Sequence, residues 1–267
     1  MAKVTTMEAA GESGGSTKRA AAERSPVLVV GGGRGAAGKS TVLAMLAYRA
    51  RNNGRDVLVA DFDPQSRTLR NLFPDAVKPK SDELPDVKDE FVELLNTVAK
   101  GDSAVVDFGG GDTFMKEMGK DLPWVRYCAK RGIEPVAVFV LSPDQENLNH
   151  VLSLFDSGHF NPKRMIIIMN EGVIREGKTT RGAFDDTVSN EGFQRMIKAG
   201  AVMLLLPRLP CMGVLTKASV TDPSAMDFYA AAAGDGALDF VQQFMVETWL
   251  EDFETKVQSL GIADWLP

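Results

Sequence analysis

The chain alternates short apolar runs with longer stretches in which apolar residues recur every three or four positions. Uninterrupted apolar runs of this length predict strands that are buried on both faces, as in parallel sheets. Helical periodicity between such strands predicts a doubly wound, mostly parallel α/β sheet with helices on both faces. The predicted strands comprise residues 27–30, 57–60, 104–106, 135–141, 165–169 and 202–206.

Two of the predicted helices are marked by clear start or stop signals. An apolar helical stretch at 42–48 is followed by Asn52-Asn53-Gly54, which is typical of a helix end. Another helix is predicted to begin near Pro85, since proline is favoured in the first helical turn. Its predicted buried face contains Val87, Phe91, Leu94 and Val98.

A long amphipathic helix is predicted at the C-terminal end of the chain, and we expect it to pack on the sheet. Its polar face is acidic, which disfavours a membrane-surface helix, because such helices are usually basic on that face. A surface for a protein partner remains open. The predicted apolar positions are Leu238, Val241, Met245, Trp249, Phe253, Val257 and Leu260.

Composition changes this picture mainly at the two ends of the chain. Residues 1–25 contain fifteen Ala, Gly, Ser or Thr and no sustained period, so they predict a flexible N-terminal arm. Residues 26–267 then form a single domain. No apolar run approaches the roughly 18 residues that a membrane span needs, and the N-terminus does not resemble a secretory signal. Two cysteines, Cys128 and Cys211, supply no disulfide framework, which favours a cytoplasmic location.

The charge of the chain is acidic overall and is unevenly distributed. The formal net charge is −6, and residues 235–267 hold seven acids and one base. An acidic segment repels phosphate backbones, so net charge does not indicate DNA binding. DNA binding therefore requires a local patch, for which Arg67 with Arg70, and Arg175 with Lys178 and Arg181, are the candidates. Solvated surface is the alternative interpretation of both groups.

The segment G-R-G-A-A-G-K-S after the first strand matches the phosphate-loop spacing G-x-x-x-x-G-K-[ST]. Gly33, Gly35 and Gly38 let backbone N–H groups turn toward phosphate oxygens, and the following helix N-terminus adds its positive dipole end. In such a loop Lys39 reaches the β- and γ-phosphates and the Ser40 hydroxyl binds Mg²⁺. The motif therefore predicts a site for a nucleoside triphosphate.

The same glycines also match G-x-G-x-x-G, the fingerprint of Rossmann dinucleotide-binding oxidoreductases. Asp61, at the end of the second strand, lies roughly where that fold places its ribose-binding acid. However, Lys39-Ser40-Thr41 has a function only in the phosphate loop. A further acid, Asp107, ends the third strand as in a Walker B segment, where it holds Mg²⁺, and Gly109-Gly110-Gly111 follows closely.

Asp61-Phe62-Asp63-Pro64-Gln65, following a strand and a phosphate loop, resembles the ParA/MinD group of deviant-Walker P-loop ATPases. The resemblance covers most of residues 26–215 and includes 138–144, 167–170 and 204–208. It implies the fold of a P-loop NTPase, binding of ATP with Mg²⁺ and slow hydrolysis to ADP and phosphate. It also implies an ATP-dependent homodimer that partitions plasmid DNA or positions another cellular cargo with an adaptor protein.

The resemblance implies a role for each matching residue. Asp63 orients or activates the attacking water, Asn170 reads adenine, and Pro207 packs near the nucleoside. Ser40, Asp61 and Asp107 serve the magnesium ion. The phosphate-binding loop would consist of Gly33, Gly35, Ala36, Ala37, Gly38, Lys39, Ser40 and Thr41.

The loop departs from the family pattern at two positions. Arg34 stands where the family has a signature lysine that reaches the partner's phosphates across the dimer, and Ala36 replaces a usual glycine. Arginine is always charged and binds phosphate through two parallel hydrogen bonds, so Arg34 can do the same work. The alternative is a solvated Arg34 and a weaker dimer. A small-molecule kinase or ligase on the same fold remains the alternative function.

Overall fold

The structure, a computed structural model, describes residues 25–109 and 112–267. The predicted N-terminal arm lies outside the described residues except for Ser25, as do Gly110 and Gly111 of the glycine run. Among the described residues, no helix combines the length and the apolar character that crossing a membrane requires.

Six parallel strands form one sheet in the described part of the chain, in the order β2-β3-β1-β4-β5-β6. All six predicted strands are confirmed, with bounds that differ by no more than two residues at either end. Every strand is rich in Val, Ile, Leu or Ala, as buried parallel strands require. The strands are β1 (Val27–Gly32), β2 (Val57–Asp61), β3 (Ser103–Asp107), β4 (Glu134–Leu141), β5 (Arg164–Asn170) and β6 (Val202–Leu206).

Helices connect the strands and cover both faces of the sheet, which confirms the doubly wound α/β fold. The helices before β4 are α1 (Lys39–Asn52), α2 (Thr68–Leu72), α3 (Leu84–Val98), α4 (Asp112–Asp121) and α5 (Trp124–Arg131). Those after β4 are α6 (Gln145–Asp156), α7 (Asp185–Ser189), α8 (Glu191–Lys198), α9 (Met212–Ser219), α10 (Phe228–Ala232) and α11 (Phe240–Ser259). Short 3₁₀ turns lie at Glu171–Val173, Pro223–Met226 and Ala263–Trp265.

Two apolar clusters form the core, one on each face of the sheet. Alternate residues of each strand point to opposite faces, so Val136 and Val138 belong to one cluster, while Ala137 and Phe139 belong to the other. The first cluster is closed by α1, α10 and α11, and the second by α3, α5, α6 and α8. The four predicted apolar positions of α3 are all buried.

Helix α11 packs on the sheet as predicted, but its predicted apolar face is partly wrong. Residues four apart lie about 40° apart around a helix, so a series of fours rotates off the buried face. Val241 is therefore 64% and Met245 38% exposed, and Leu260, the residue that ends the helix, is 40% exposed. The buried residues of α11 are Val246, Trp249, Leu250, Phe253 and Val257.

An ion pair ties α11 to α1 across 205 residues of sequence. The Arg49 guanidinium donates to both Glu254 carboxylate oxygens, at 2.7 and 2.9 Å. Arg49 is 4% exposed, and the Tyr229 hydroxyl donates to the same carboxylate at 3.1 Å. The last long helix is thus fastened to the helix that follows β1.

Candidate nucleotide site

The strand register brings the predicted acids to one edge of the sheet. Asp61 is paired with Asp107, and Asp107 is paired with Gly31. The loop between β1 and α1 begins at that same edge, because the strands are parallel. Ligands bind at the carboxyl ends of strands in sheets of this kind. The edge of β2, β3 and β1 is therefore the candidate site.

Two loop positions require glycine for reasons visible in the structure. Gly33 has φ 139°, and a Cβ there would lie 2.7 Å from the Val140 carbonyl oxygen. Gly38 has φ 82°, and a Cβ there would lie 2.3 Å from Asn170 Nδ2. Any side chain at either residue would clash, so these glycines set the path of the loop. Ala36 has φ 66°, a left-handed conformation that is rare for a residue with a Cβ.

Asp107 gathers the predicted lysine and serine. The Lys39 ammonium donates to Asp107 Oδ1, and the Ser40 hydroxyl donates to Asp107 Oδ2 at 2.6 Å. The Gly109 N–H also donates to Oδ1, at 3.0 Å. The side chains of Lys39 and Asp107 are 4% and 1% exposed. A buried cation, a hydroxyl and a carboxylate therefore meet at the start of α1.

Asp61 organises the segment after β2. Its carboxylate accepts the Asp63 N–H at 3.0 Å and the Arg70 N–H at 2.8 Å, and the Arg70 guanidinium donates to the Asp61 carbonyl at 2.9 Å. Burial raises the pKa of Asp61 above its ordinary value, and the two backbone N–H donors oppose that shift. The predicted role of Asp61 at the magnesium stays a prediction. The Arg70 side chain serves this internal network and is 17% exposed, and DNA binding by Arg67 and Arg70 stays a prediction.

Asp63 lies beside the end of β3. A Cβ on Gly109 would be 2.9 Å from the Asp63 carboxyl carbon, so the two segments are in close contact. Asp63 Oδ1 accepts the N–H groups of Gln65 and Ser66 at 2.8 and 3.1 Å. Within residues 25–109 and 112–267, Asp63 Oδ2 has no hydrogen-bond partner and is available to a water molecule or a ligand.

A pocket of about 110 Å³ opens beside the loop. Gly38, Thr41, Asn170 and Pro207 line it, and their contacts with a nucleotide stay a prediction. Its volume is below the roughly 300–1,000 Å³ of drug-sized ligand sites. Sequence reasoning missed the apolar wall, which consists of Met45, Met212, Phe228 and Trp249.

Asn170 links the loop to β5. Its amide nitrogen donates to the Ala37 carbonyl at 3.0 Å, and its amide oxygen accepts the Gly172 N–H at 2.9 Å. Asn170 is 6% exposed, and it lines the pocket. Its position agrees with a role near the base, while adenine recognition stays a prediction.

Arg208 is a further residue of the site, and the sequence analysis gave it no role of its own. Its guanidinium donates to the carbonyls of Ile174 at 2.8 Å and of Arg175 and Lys178 at 3.3 Å. These bonds hold the segment after Val173, a residue of the pocket wall. The sequence feature that could have pointed to Arg208 is its charge directly after Pro207. Its acceptors are backbone carbonyl groups, however, and no sequence motif specifies them.

Arg34, a residue of the same loop, has a different partner from Lys39. Its guanidinium instead pairs with Glu146 in the first turn of α6. Both side chains are exposed, at 49% and 70%. Exposed pairs of this kind contribute about 0–1 kcal/mol, so Arg34 can exchange Glu146 for another anion at small cost.

The donor set at the loop fits Mg²⁺ and a triphosphate. Magnesium prefers hydroxyl, carboxylate and water oxygens, and Ser40 and Asp107 supply the first two within 2.6 Å of each other. Lys39 and the N–H groups at the start of α1 supply positive charge for phosphates. Among the described residues, no three His, Cys, Asp or Glu side chains form a separate metal cluster.

A model of a nucleotide-binding family matches most of the chain. The family model described as CbiA, the CobQ/CobB/MinD/ParA nucleotide binding domain, matches residues 28–241. No curated protein sequence matches the chain. Among solved structures, the MinD cell division protein of Aquifex aeolicus is similar, with 16% identity and a TM-score of 0.47, over 80% of this chain and 98% of that chain. The residues that match the family model include the loop, both acidic segments and Asn170.

Proposed function

The chain belongs to the CobQ/CobB/MinD/ParA nucleotide-binding domain family, and from that membership we propose that it is a Mg-ATP-dependent switch of the ParA/MinD type. It binds ATP, dimerises with the nucleotide at the interface and hydrolyses it slowly. The convergence of Lys39 and Ser40 on Asp107 carries the proposal, because a triphosphate with Mg²⁺ needs these three groups together. A dinucleotide-binding oxidoreductase has no use for this contact.

Lys39 and Ser40 serve as internal partners for Asp107 until nucleotide binds. When phosphates occupy the loop, the Lys39 ammonium turns to them and releases Asp107. Ser40 and Asp107 would then be the residues that hold the Mg²⁺ ion. Mg²⁺, when bound, neutralises charge that develops on the phosphates.

Asp63 is the residue that orients the attacking water. Its Oδ1 atom is held by two backbone N–H groups, which fixes the carboxylate, and its second oxygen accepts a hydrogen bond from the water. Asp61 acts through the backbone by holding the segment that carries Asp63. A fixed carboxylate of this kind favours positioning over proton abstraction, in agreement with slow hydrolysis.

Arg34 supplies the contact across the dimer. In the single chain it pairs with Glu146, and on dimerisation it exchanges this carboxylate for the phosphates of the partner's nucleotide. Phosphate accepts two parallel hydrogen bonds from a guanidinium, so the exchange favours the nucleotide-bound dimer.

Nucleotide binding is tested by substituting the loop lysine. Lys39→Ala should abolish binding of a fluorescent ATP analogue and phosphate release, because it removes the charge that reaches the phosphates. The matched control is Lys100→Ala, an exposed lysine after α3, which should behave as the unaltered chain. Intact ATP binding and turnover in Lys39→Ala would refute the proposed site.

Dimerisation is tested by light scattering without nucleotide, with ADP, and with a nonhydrolysable ATP analogue plus Mg²⁺. A dimer should appear only with the triphosphate analogue. Arg34→Ala should bind the analogue and stay monomeric, whereas Arg34→Lys, which restores the usual family residue, should dimerise. A monomer in every condition, with the analogue bound, would refute the switch and favour a small-molecule kinase or ligase.

The cargo that the switch serves follows only from the resemblance, which favours partitioning of plasmid DNA or positioning of another cargo through an adaptor protein. The exposed residues Arg175, Lys178 and Arg181 are the candidate contacts for DNA. Charge reversal at Arg175 and Lys178 should reduce retention on immobilised DNA if the dimer binds DNA directly. Unchanged retention would refute a role for this segment.

A further inference from the structure

A second, larger cleft lies at the opposite end of the strands, where β4 and β5 begin. It encloses about 730 Å³ and is bordered by residues 123–126, 132–135 and 158–164. Glu134 begins β4 and Arg164 begins β5, whereas the nucleotide loop follows the carboxyl end of β1. At about 3.3 Å per residue, the length of β4 separates the two ends by roughly 23 Å. The cleft is therefore distinct from the nucleotide site.

The volume and the walls of the cleft suit a small molecule. Its size falls in the range of roughly 300–1,000 Å³ that is typical of ligand sites. Val125 and Pro135, which are partly exposed, form its apolar walls, and the buried residues Trp124 and Ile133 also border it. At the border of the cleft, α4 packs closely against the segment before β5. A Cβ on Gly119 would lie 2.5 Å from the Cβ of His159.

The charged side chains of the cleft are predominantly positive, although the chain carries a net charge of −6. Glu134, the acid of the lining, lies 3.5 Å from the Arg164 guanidinium and is neutralised by it. Arg126 and Lys163 also line the cleft, and neither has an acidic partner among the described residues. Both residues are exposed, so solvent balances their charges and both side chains are available to an anionic ligand.

Trp124 carries a buried hydrogen-bond donor that has no acceptor among the described residues. The donor is its indole N–H, and the residue is 0% exposed. Buried donors without an acceptor are rare in native proteins, and each one calls for a physical explanation. The ring itself is fixed, because it packs against Phe91 and Phe160 at centroid distances of 5.9 Å.

We propose that this cleft binds a small organic anion that consists of an apolar body and one carboxylate, sulfonate or phosphate group. Arg126 and Lys163 hold the anionic group, and the wall of Val125 and Pro135 packs against the apolar body. Charge-assisted hydrogen bonds from a guanidinium and an ammonium are about twice as strong as neutral ones, so the anionic group dominates recognition. Binding here is independent of the nucleotide loop.

The proposal is tested with anilinonaphthalene sulfonate, a fluorescent anion with an aromatic body. Arg126→Glu and Lys163→Glu should each weaken dye binding to the full chain at least about tenfold, because each reverses a charge that holds the sulfonate. The matched control is Lys130→Glu, an exposed lysine of the same helix α5 that lies outside the cleft lining. It should bind the dye within about twofold of the unaltered chain.

Two further measurements show where the dye binds and whether its sulfonate group is recognised. The dye should slow amide hydrogen exchange in residues 123–135 and leave residues 33–41 unchanged. Phenylnaphthylamine, which has the same body without the sulfonate, should bind more weakly than the dye. Equal dye affinity in Arg126→Glu, Lys163→Glu and the unaltered chain would overturn the proposal, as would equal binding of the two probes. Thermal unfolding of the variants checks that each one folds.

Discussion

The contact between Lys39 and Asp107 predicts an unequal cost for removing its two members. With Asp107→Ala, Lys39 loses its one hydrogen-bond acceptor among the described residues, although its side chain is only 4% exposed. Breaking a buried pair in this way costs about 3–5 kcal/mol. With Lys39→Ala, Asp107 keeps the Ser40 hydroxyl and the Gly109 N–H as donors. The cost should then be about 2 kcal/mol, the value of one charged hydrogen bond.

The double variant separates burial of charge from loss of contact. The double variant Lys39→Ala with Asp107→Ala leaves no buried lysine without an acceptor. It should therefore be more stable than Asp107→Ala alone. Urea unfolding without nucleotide measures the three free energies of unfolding, and thermal midpoints should differ by roughly 2–4 °C per kcal/mol. Asp121→Ala is the matched control, because it breaks a Lys88 pair whose acid is 62% exposed, at a cost of about 0–1 kcal/mol.

The reasoning fails if Asp107→Ala is no more destabilising than Lys39→Ala, or if the double variant is the least stable of the three. Either result would mean that Lys39 reaches solvent once Asp107 is removed. The pair would then not act as a closed internal contact that nucleotide must open.

Three other predictions concern the loop, the pocket wall and a buried thiol. Ala36→Gly should raise the free energy of unfolding by up to about 1 kcal/mol, since relief of the left-handed conformation outweighs the added freedom of the unfolded chain. The control Ala129→Gly, within α5, should lower the free energy of unfolding by about 1 kcal/mol. A loss of stability in both variants would contradict this view. Arg208→Ala should weaken binding of a fluorescent ATP analogue several-fold by releasing the Ile174 carbonyl, with Arg181→Ala as control, and unchanged affinity would remove Arg208 from the site. Burial raises the pKa of Cys128 to about 12, so about one thiol in 10⁴ is ionised at pH 8. In a Cys211→Ser chain, a thiol reagent should therefore label Cys128 only after unfolding. Rapid labelling of the native chain would refute the burial of Cys128.

The strands and the loop could be predicted because their signals are local. Val27 to Val30 is apolar whatever lies beside it, and the glycines before Lys39 have a fixed spacing. The acids that end β2 and β3 could also be identified, since the strand ends were correct to within two residues. These features define the fold and most of the residues at the nucleotide edge.

The contacts between distant segments could not be predicted in the same way. Asn170 meets Ala37 across 133 residues because β5 is separated from β1 only by β4, and strand order is not visible in a local pattern. The same is true of Arg208 and the carbonyls it binds. The pocket wall at Phe228 and Trp249 depends on how α10 and α11 fold back over α1.

The fastening of α11 to α1 has a consequence for synthesis on the ribosome. Trp249 lines the pocket beside the loop and donates to the Pro207 carbonyl at 2.8 Å, and Glu254 neutralises Arg49. At about 5–20 residues per second, the ribosome needs roughly 10–40 s to add the 205 residues between Arg49 and Glu254. During that interval the nascent chain carries a complete phosphate loop but an unfinished nucleoside pocket. The nascent chain therefore cannot complete the pocket beside the loop until α11 has been made and has packed against α1.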